Sequence, residues 1–379
     1  MADSVSSAVF GKRLAQARQA AAARGVDALL LTPGADLRYL TGYPAVVLER
    51  LTCLVLPTGG DPVLVVPLLE RPAAMASPVG RLGLEVRAWG ETDDPFALVA
   101  GLLTGTGGGP EAARRLGVAN RMWAEHLLRL HDLLPGADLR PAGEVLRDLR
   151  IVKDPEEVAA LRRVGAAIDR VHARMAEWLR VGRTEAEVGQ DIAAAIVGEG
   201  HETANFTIVG SGPNGASPHH HVSARAIAAR DVVVIDIGGT SADGYCSDST
   251  RTYVVGGQPT DEVAAYYEVL RQAQDAAVAA VRPGVPAERV DAAAREPIAA
   301  AGYGEFFVHR TGHGIGLAEH EEPWIVAGNP EPLAAGMAFS VEPGIYLPGQ
   351  HGARIEDIVV CTETGVERLN LSPRELVVL

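Results

Sequence analysis

The stretch Val232-Val-Val-Ile-Asp-Ile-Gly-Gly-Thr-Ser-Ala-Asp-Gly-Tyr-Cys-Ser-Asp-Ser-Thr-Arg-Thr252 decides how the chain is read. Its β-branched, apolar opening, Val232 to Ile235, has the composition of a buried strand. Gly238-Gly239 and Asp243-Gly244 mark a turn, and a second strand follows through Tyr253 to Val255. The result is a hairpin with a carboxylate on each arm, Asp236 and Asp248. An isolated carboxylate in an apolar strand is costly unless a cation or hydrogen bonds compensate it. Backbone amides could satisfy either Asp alone. Two on facing strands ask for a shared explanation.

Outward from the hairpin, the 379-residue chain is too long for one ordinary core, so two domains are expected. A composition of 47% hydrophobic and 22% charged residues is that of a globular enzyme, not of a disordered or fibrous chain. The net charge of −14 argues against nucleic-acid binding, and no apolar run is long enough to span a bilayer. Met1 to Ser7 lacks the basic and apolar regions of a signal peptide, which makes the cytoplasm the expected location. Cys53, Cys246 and Cys361 form no CxxC pair and no disulfide framework. Lys12 and Lys153, the only lysines, lie in no pocket-like context, so Schiff-base chemistry is not expected.

Residues 1–150 read as an α/β domain. A helix over Phe10–Arg24 stops at Gly25, strands follow at 26–32, 51–56 and 62–66, and a Gly-rich loop spans Gly105–Gly109. No cluster of metal-binding or nucleophilic residues occurs there. A second domain, 151–379, opens with Asp154 as N-cap, Pro155 at the first helical position and Glu157 closing a capping box. This predicts a helix from Pro155 to about Leu179, then another from Thr184 to about Val197. Gly210, Gly212 and Gly215 satisfy G-x-G-x-x-G, but Pro213 and the following Ala216-Ser-Pro-His-His-His221 exclude the helix that a dinucleotide site requires. The loop instead delivers His219, His220 and His221 near the hairpin.

Further acid and imidazole groups follow. His309-Arg-Thr-Gly-His-Gly-Ile-Gly316 has two His four apart among glycines, which reads as a loop, and His320 lies just beyond it. Residues 338–346 and 352–360 read as two strands carrying Glu342 and Glu356, a second carboxylate-bearing hairpin. Asp236, Asp248, Glu342 and Glu356 held close together cannot all stay ionised without cations. Two divalent ions bridged by carboxylates remove that difficulty. With His313 as the single imidazole, the oxygen-rich set suits Mn²⁺, Co²⁺, Fe²⁺ or Zn²⁺ better than a structural zinc.

These motifs, D-I-G…Y-C-S-D-S-T-R-T, H-R-T-G-H-G-I-G-L, S-V-E-P-G-I-Y and R-I-E-D, resemble in order those of the Xaa-Pro peptidases. That family comprises prolidase and aminopeptidase P, within the methionine aminopeptidase and creatinase superfamily. The resemblance covers residue 151 to the end, and less distinctively the first domain. It implies an α+β "pita-bread" catalytic domain behind a creatinase-like α/β domain that shapes the substrate entrance and supports a homodimer. It also implies two metals, most simply Mn, held by Asp236, Asp248, His313, Glu342 and Glu356. In that scheme a metal-activated hydroxide attacks the carbonyl before proline, with Glu342 as proton carrier. His219 and His320 match the substrate-binding and oxyanion-stabilising histidines, His309 is a third candidate, and His220 and His221 are left as solvated neighbours. One departure is the spacing of Asp236 and Asp248, 12 positions (248 − 236) and one more than in many members. The extra residue is expected in the turn Thr240 to Asp243.

Arg354 lies two residues from Glu356, on the same strand face, and could bind the free carboxylate of an Xaa-Pro dipeptide or else orient Glu356. The expected function is therefore metal-dependent cleavage of Xaa-Pro dipeptides. Aminopeptidase P action on longer peptides, a metal-free creatinase-type hydrolase, a non-catalytic binding protein of the same fold and methionine aminopeptidase are the alternatives. Metal content separates the peptidases from the two metal-free readings.

Overall fold

A computed structural model describes residues 7–104 and 115–379. The Gly105–Gly109 loop lies outside the described residues. The chain forms two compact units, Met1–Arg150 and Ile151–Leu379.

The first unit is built on one mixed sheet of β1 (Ala28–Leu31), β2 (Cys53–Pro57), β3 (Val63–Pro67), β4 (Glu85–Trp89), β5 (Arg115–Val118) and β6 (Asp138–Pro141), in the order β4-β3-β2-β1-β5-β6. The neighbours β3–β4, β1–β5 and β5–β6 are parallel. Helices α1 (Ser7–Ala23), α2 (Ala35–Thr41), α3 (Arg71–Ala76), α4 (Pro95–Thr104), α5 (Ala124–Leu133) and α6 (Gly143–Arg150) accompany the sheet. Leu30, Val55, Val65 and Leu116 pack with Val99 and Leu130 in its core.

The second unit opens with α7 (Pro155–Ala173), capped as its sequence predicts. Asp154 accepts from the backbone N–H groups of Glu156 and Glu157 at 2.9 Å each, and Glu157 answers at 3.0 Å. The helix ends earlier than Leu179, and a 3₁₀ turn at Met175–Glu177 follows. Met175 and Leu179 stay buried, so the apolar spacing runs on across the break and reads as one helix. Then come α8 (Glu185–Gly198) and the strands β7 (Thr203–Ser211), β8 (Asp231–Thr240) and β9 (Cys246–Val255). Val233, Ile235 and Ile237 of β8 pack on Ile168 and Val171 of α7 and on Val188 and Ile192 of α8. Asp236, between them in sequence, leaves the opposite face. The G-x-G-x-x-G segment runs from the end of β7 into a 3₁₀ turn, Gly212–Ala216, not into a phosphate-binding α-helix.

The other half repeats the plan with α9 (Asp261–Ala280), α10 (Ala287–Ala300) and the sheet β11-β10-β12-β15-β16. Its strands are β10 (Gly312–Gly314), β11 (Glu321–Ile325), β12 (Ala338–Val341), β15 (Asp357–Cys361) and β16 (Val366–Arg368), while β13 (Gly344–Leu347) and β14 (His351–Arg354) form a separate two-stranded ribbon. A final strand, β17 (Val377–Val378), joins β9.

Two expectations are corrected here. Residues 338–346 and 352–360 are not two continuous strands, because each divides between the sheet and the ribbon. Pro343 offers no N–H to a ladder, so pairing stops there, and Glu342 and Glu356 sit at the two breaks. Residues 312–314 are a short central strand, not a loop. Their glycines are needed for close pairing, since a Cβ on Gly312 would meet the Ser340 carbonyl and one on Gly314 the Glu322 carbonyl.

Candidate metal centre

The β8–β9 ladder fixes the first two carboxylates. Its register pairs Asp236 with Thr250 and Gly238 with Asp248, so the two Asp are diagonal neighbours on one face. Pairing runs without a shift from Asp231↔Val255 to Thr240↔Cys246, which puts the longer spacing in the turn at 241–245. Glu356 reaches this face through a bridge to Thr250, whose hydroxyl donates to its Oε2 at 2.8 Å. His313 and Glu342 arrive from β10 and from the end of β12. Ser340 ties these two together, accepting from the His313 N–H at 2.9 Å and donating to Glu342 at 3.0 Å.

Ligand atoms of Asp236, Asp248 and Glu356 lie within 4.8 Å of one another, as do those of His313, Glu342 and Glu356. The two triads share Glu356, which is the layout of two cation sites joined by a bridging carboxylate. Asp248 and His313 are likewise grouped with His320.

The donor chemistry fits divalent cations. Burial first, and then neighbouring carboxylates, push Asp248 and Glu356 well above the ordinary carboxylate range, and burial pushes Glu342 up to about 7. Asp236 Oδ1 is buried with no hydrogen-bond partner. His313 donates from Nδ1 to the Gly314 carbonyl at 3.1 Å, which leaves the Nε2 lone pair facing Glu342 Oε1 at 3.3 Å and Asp248 Oδ2 at 3.6 Å. Burial, followed by the neighbouring His320, pulls the His313 pKa down to about 3, so its Nε2 offers a lone pair and no proton at neutral pH, and wherever Glu342 and Asp248 ionise, acceptor faces acceptor. Acceptors facing acceptors in a dry site are repulsive. Cations between them remove that cost.

The other sequence-predicted residues are placed as follows. The His320 ring lies 3.9 Å from that of His313, centroid to centroid. His219 is exposed on its loop and close enough to His309 and His320 to depress their protonation. His309 donates from Nδ1 to the Arg310 carbonyl at 2.7 Å and meets the Tyr346 hydroxyl at 2.8 Å, so both its nitrogens are engaged. Burial, and then the Arg354 charge, holds its pKa at about 4.

His220 is not merely solvated, for its Nε2 lies 2.7 Å from the fully buried Glu185. His221 is exposed. Arg354 is 2% exposed, and its partner is neither a free space for substrate nor Glu356. It bonds Asp236 at 2.5 Å, Tyr346 at 2.6 Å, Thr250 at 3.1 Å and the Pro218 carbonyl at 3.3 Å. Lys153, read from sequence as lying in no pocket, is buried and paired with Glu321 at 2.6 Å. Thr250 and Ser340 escaped the sequence reading, although each lies two residues from a ligand on the same strand or its continuation. Tyr346 ends the S-V-E-P-G-I-Y motif, but nothing in its local sequence points to its bonds with His309 and Arg354.

Residues 159–363 match the metallopeptidase family M24, and residues 13–152 match the creatinase/prolidase N-terminal domain. A probable dipeptidase, PepE, of Mycobacterium tuberculosis is 55% identical over 98% of this chain and 97% of its own. The Xaa-Pro dipeptidase of Lactobacillus delbrueckii subsp. lactis is 35% identical over 94% of this chain and 95% of its own. The crystal structure of dipeptidase PepE from Mycobacterium ulcerans superposes with a TM-score of 0.91 at 56% identity, covering 99% of both chains.

Proposed function

The chain belongs to the M24 metallopeptidases, with a creatinase/prolidase N-terminal domain ahead of a pita-bread catalytic domain, and from that premise we propose that it cleaves Xaa-Pro dipeptides using two divalent metal ions. The observation that carries this reading is the pair of ligand triads sharing Glu356. The names of its relatives, dipeptidase and Xaa-Pro dipeptidase, support the substrate class.

Asp236, Asp248, His313, Glu342 and Glu356 would hold the cations, and the oxygen-rich set favours Mn²⁺, with Co²⁺, Zn²⁺ or Fe²⁺ as substitutes. When bound, such ions supply Lewis-acid charge and lower the pKa of the attacking water. Glu342 carries the proton from nucleophile to departing nitrogen. Its side chain is 15% exposed, against 11% for Asp236 and 6% for Asp248, so it is the carboxylate that substrate can best approach. His219 and His320 bind substrate and donate to the developing oxyanion. His309, engaged with Tyr346, lines this site. Arg354 would have to release Asp236 or Tyr346 to bind a peptide carboxylate, so we assign it to orienting Asp236.

A homodimer in the cytoplasm completes the proposal, on the resemblance. Among the described residues no helix is long and apolar enough to cross a membrane.

The test compares an Xaa-Pro dipeptide with the same peptide extended by one residue, on Mn²⁺-loaded protein, alongside metal analysis. Faster dipeptide cleavage with about two ions per chain is expected. Faster cleavage of the longer peptide would move the assignment to aminopeptidase P, and full turnover without metal would overturn the metal reading.

A further inference from the structure

Glu185, the first residue of α8, has no exposed surface and is no ligand in the triads above. Its Oε1 accepts from the Ser211 N–H at 2.8 Å, the Ser211 hydroxyl at 2.7 Å and Asn214 Nδ2 at 3.0 Å. Its Oε2 accepts from Asn214 Nδ2 at 3.1 Å, the Ser223 N–H at 3.2 Å, the Ser223 hydroxyl at 2.6 Å and lies 2.7 Å from His220 Nε2. Every one of these partners belongs to residues 211–223, the segment that carries His219. Burial opposes ionisation here, but the donors from Ser223 and Ser211 outweigh it and hold the carboxyl at about 2.

Only an ionised carboxylate matches this set. Backbone N–H groups face both oxygens, so a glutamine amide would turn its own N–H₂ toward one of them. A buried anion whose donors all come from one loop specifies the shape of that loop. Within it, the His220 N–H closes a turn on the Ser217 carbonyl at 3.2 Å, with Pro218 and His219 as the central residues. One side of the turn is tied through His220 to Glu185. On the other, the Pro218 carbonyl accepts from Arg354 at 3.3 Å. None of these bonds uses the His219 ring, which is left for substrate.

We infer that Glu185 is a positioning residue that fixes the place of His219 beside the metal centre by clamping the 211–223 segment through His220. The inference rests on the proposed role of His219 in Xaa-Pro cleavage. Its test is a double-mutant cycle of Glu185→Gln with His219→Ala, read as kcat/KM on an Xaa-Pro dipeptide, with metal content measured on each protein. Glu185→Gln should lower kcat/KM about tenfold or more with metal content unchanged, and by less than about twofold in the His219→Ala background. Equal losses in both backgrounds would overturn the inference, since a general structural defect adds to the loss of His219.

His220→Ala, at a part-exposed position, provides the same cycle should Glu185→Gln fail to fold, and its smaller loss should vanish likewise. Amide hydrogen exchange is read in parallel and needs no substrate. Exchange over residues 212–222 should quicken in either variant while β8 and β9 stay protected, and unchanged exchange there would overturn the clamp. A wild type that cleaves no Xaa-Pro dipeptide would instead overturn the functional reading, and the clamp would still be decided by exchange.

Discussion

At the scale of the residue, the centre is a place where groups of like character are forced together. Asp248, Glu342 and Glu356 retain their protons to higher pH in the folded metal-free chain than in the unfolded one. Their stabilising contribution is therefore complete below the ordinary carboxylate pKa of about 4 and is lost as pH rises through the folded values. His313 and His309, held down at about 3 and about 4, act in the opposite sense, with stability lost as pH falls. Unfolded histidine titrates near pH 6.5, so above that value the carboxylates dominate. The melting temperature of metal-free protein is expected to fall by a few degrees between about pH 6.5 and 8. Glu356→Gln should flatten that decline, and saturating Mn²⁺ should abolish it, as scanning fluorimetry can show. With metal supplied, Asp248→Ala or Glu356→Ala should lose at least one ion and nearly all turnover while circular dichroism stays native. A variant retaining both ions and full activity would remove that residue from the ligand set.

At the scale of the element, the proposed ligands are placed by strand ends and by one very short strand. β10 lies between β11 and β12, and the glycines on either side of His313 let the carbonyls of Ser340 and Glu322 approach it. Adding a methyl group at Gly312 forces one of these backbones to move, at a cost of about 1–3 kcal/mol. Gly312→Ala should therefore lower the melting temperature and weaken metal affinity together, because the displaced strand carries His313. Unchanged affinity, measured by titration calorimetry, would show that β10 can shift without its ligand. The start of α7 offers a contrasting case. Asp154 and Glu157 of its capping box belong to neither ligand triad, so Asp154→Ala should cost about 1 kcal/mol of stability with metal affinity intact.

At the scale of the molecule, each compact unit has its own apolar core, and the ligand triads belong wholly to residues 151–379. Ligands stabilise only the unit whose native state binds them. Calorimetry of the metal-free protein should show the catalytic unit melting earlier, and Mn²⁺ should raise that transition while leaving the one from residues 1–150 in place. A single transition moving as a whole would mean that the two units unfold together. Light scattering should give about twice the chain mass of 39.8 kDa if the protein pairs as proposed.

The hairpin, the start of the catalytic domain and the identity of the clustered acids were legible in the chain alone. Those features are local, because alternation, capping and turn residues act over a few positions, and a carboxylate in an apolar strand is conspicuous wherever it falls. The sequence could not decide where the strands of 338–346 and 352–360 break, since Pro343 marks a break without saying which sheet each piece joins. It read His220 as solvated and assigned Arg354 either to the substrate carboxylate or to Glu356, without sight of their direct partners, because Glu185 lies 35 positions before the one and Asp236 118 positions before the other. Such partners meet only when α8, β8 and the ribbon are packed around the centre. Which of the polar groups around the acid cluster are already spoken for is a matter of tertiary structure alone, because hydrogen-bond capacity is finite and its allocation depends on contacts between residues far apart in the chain.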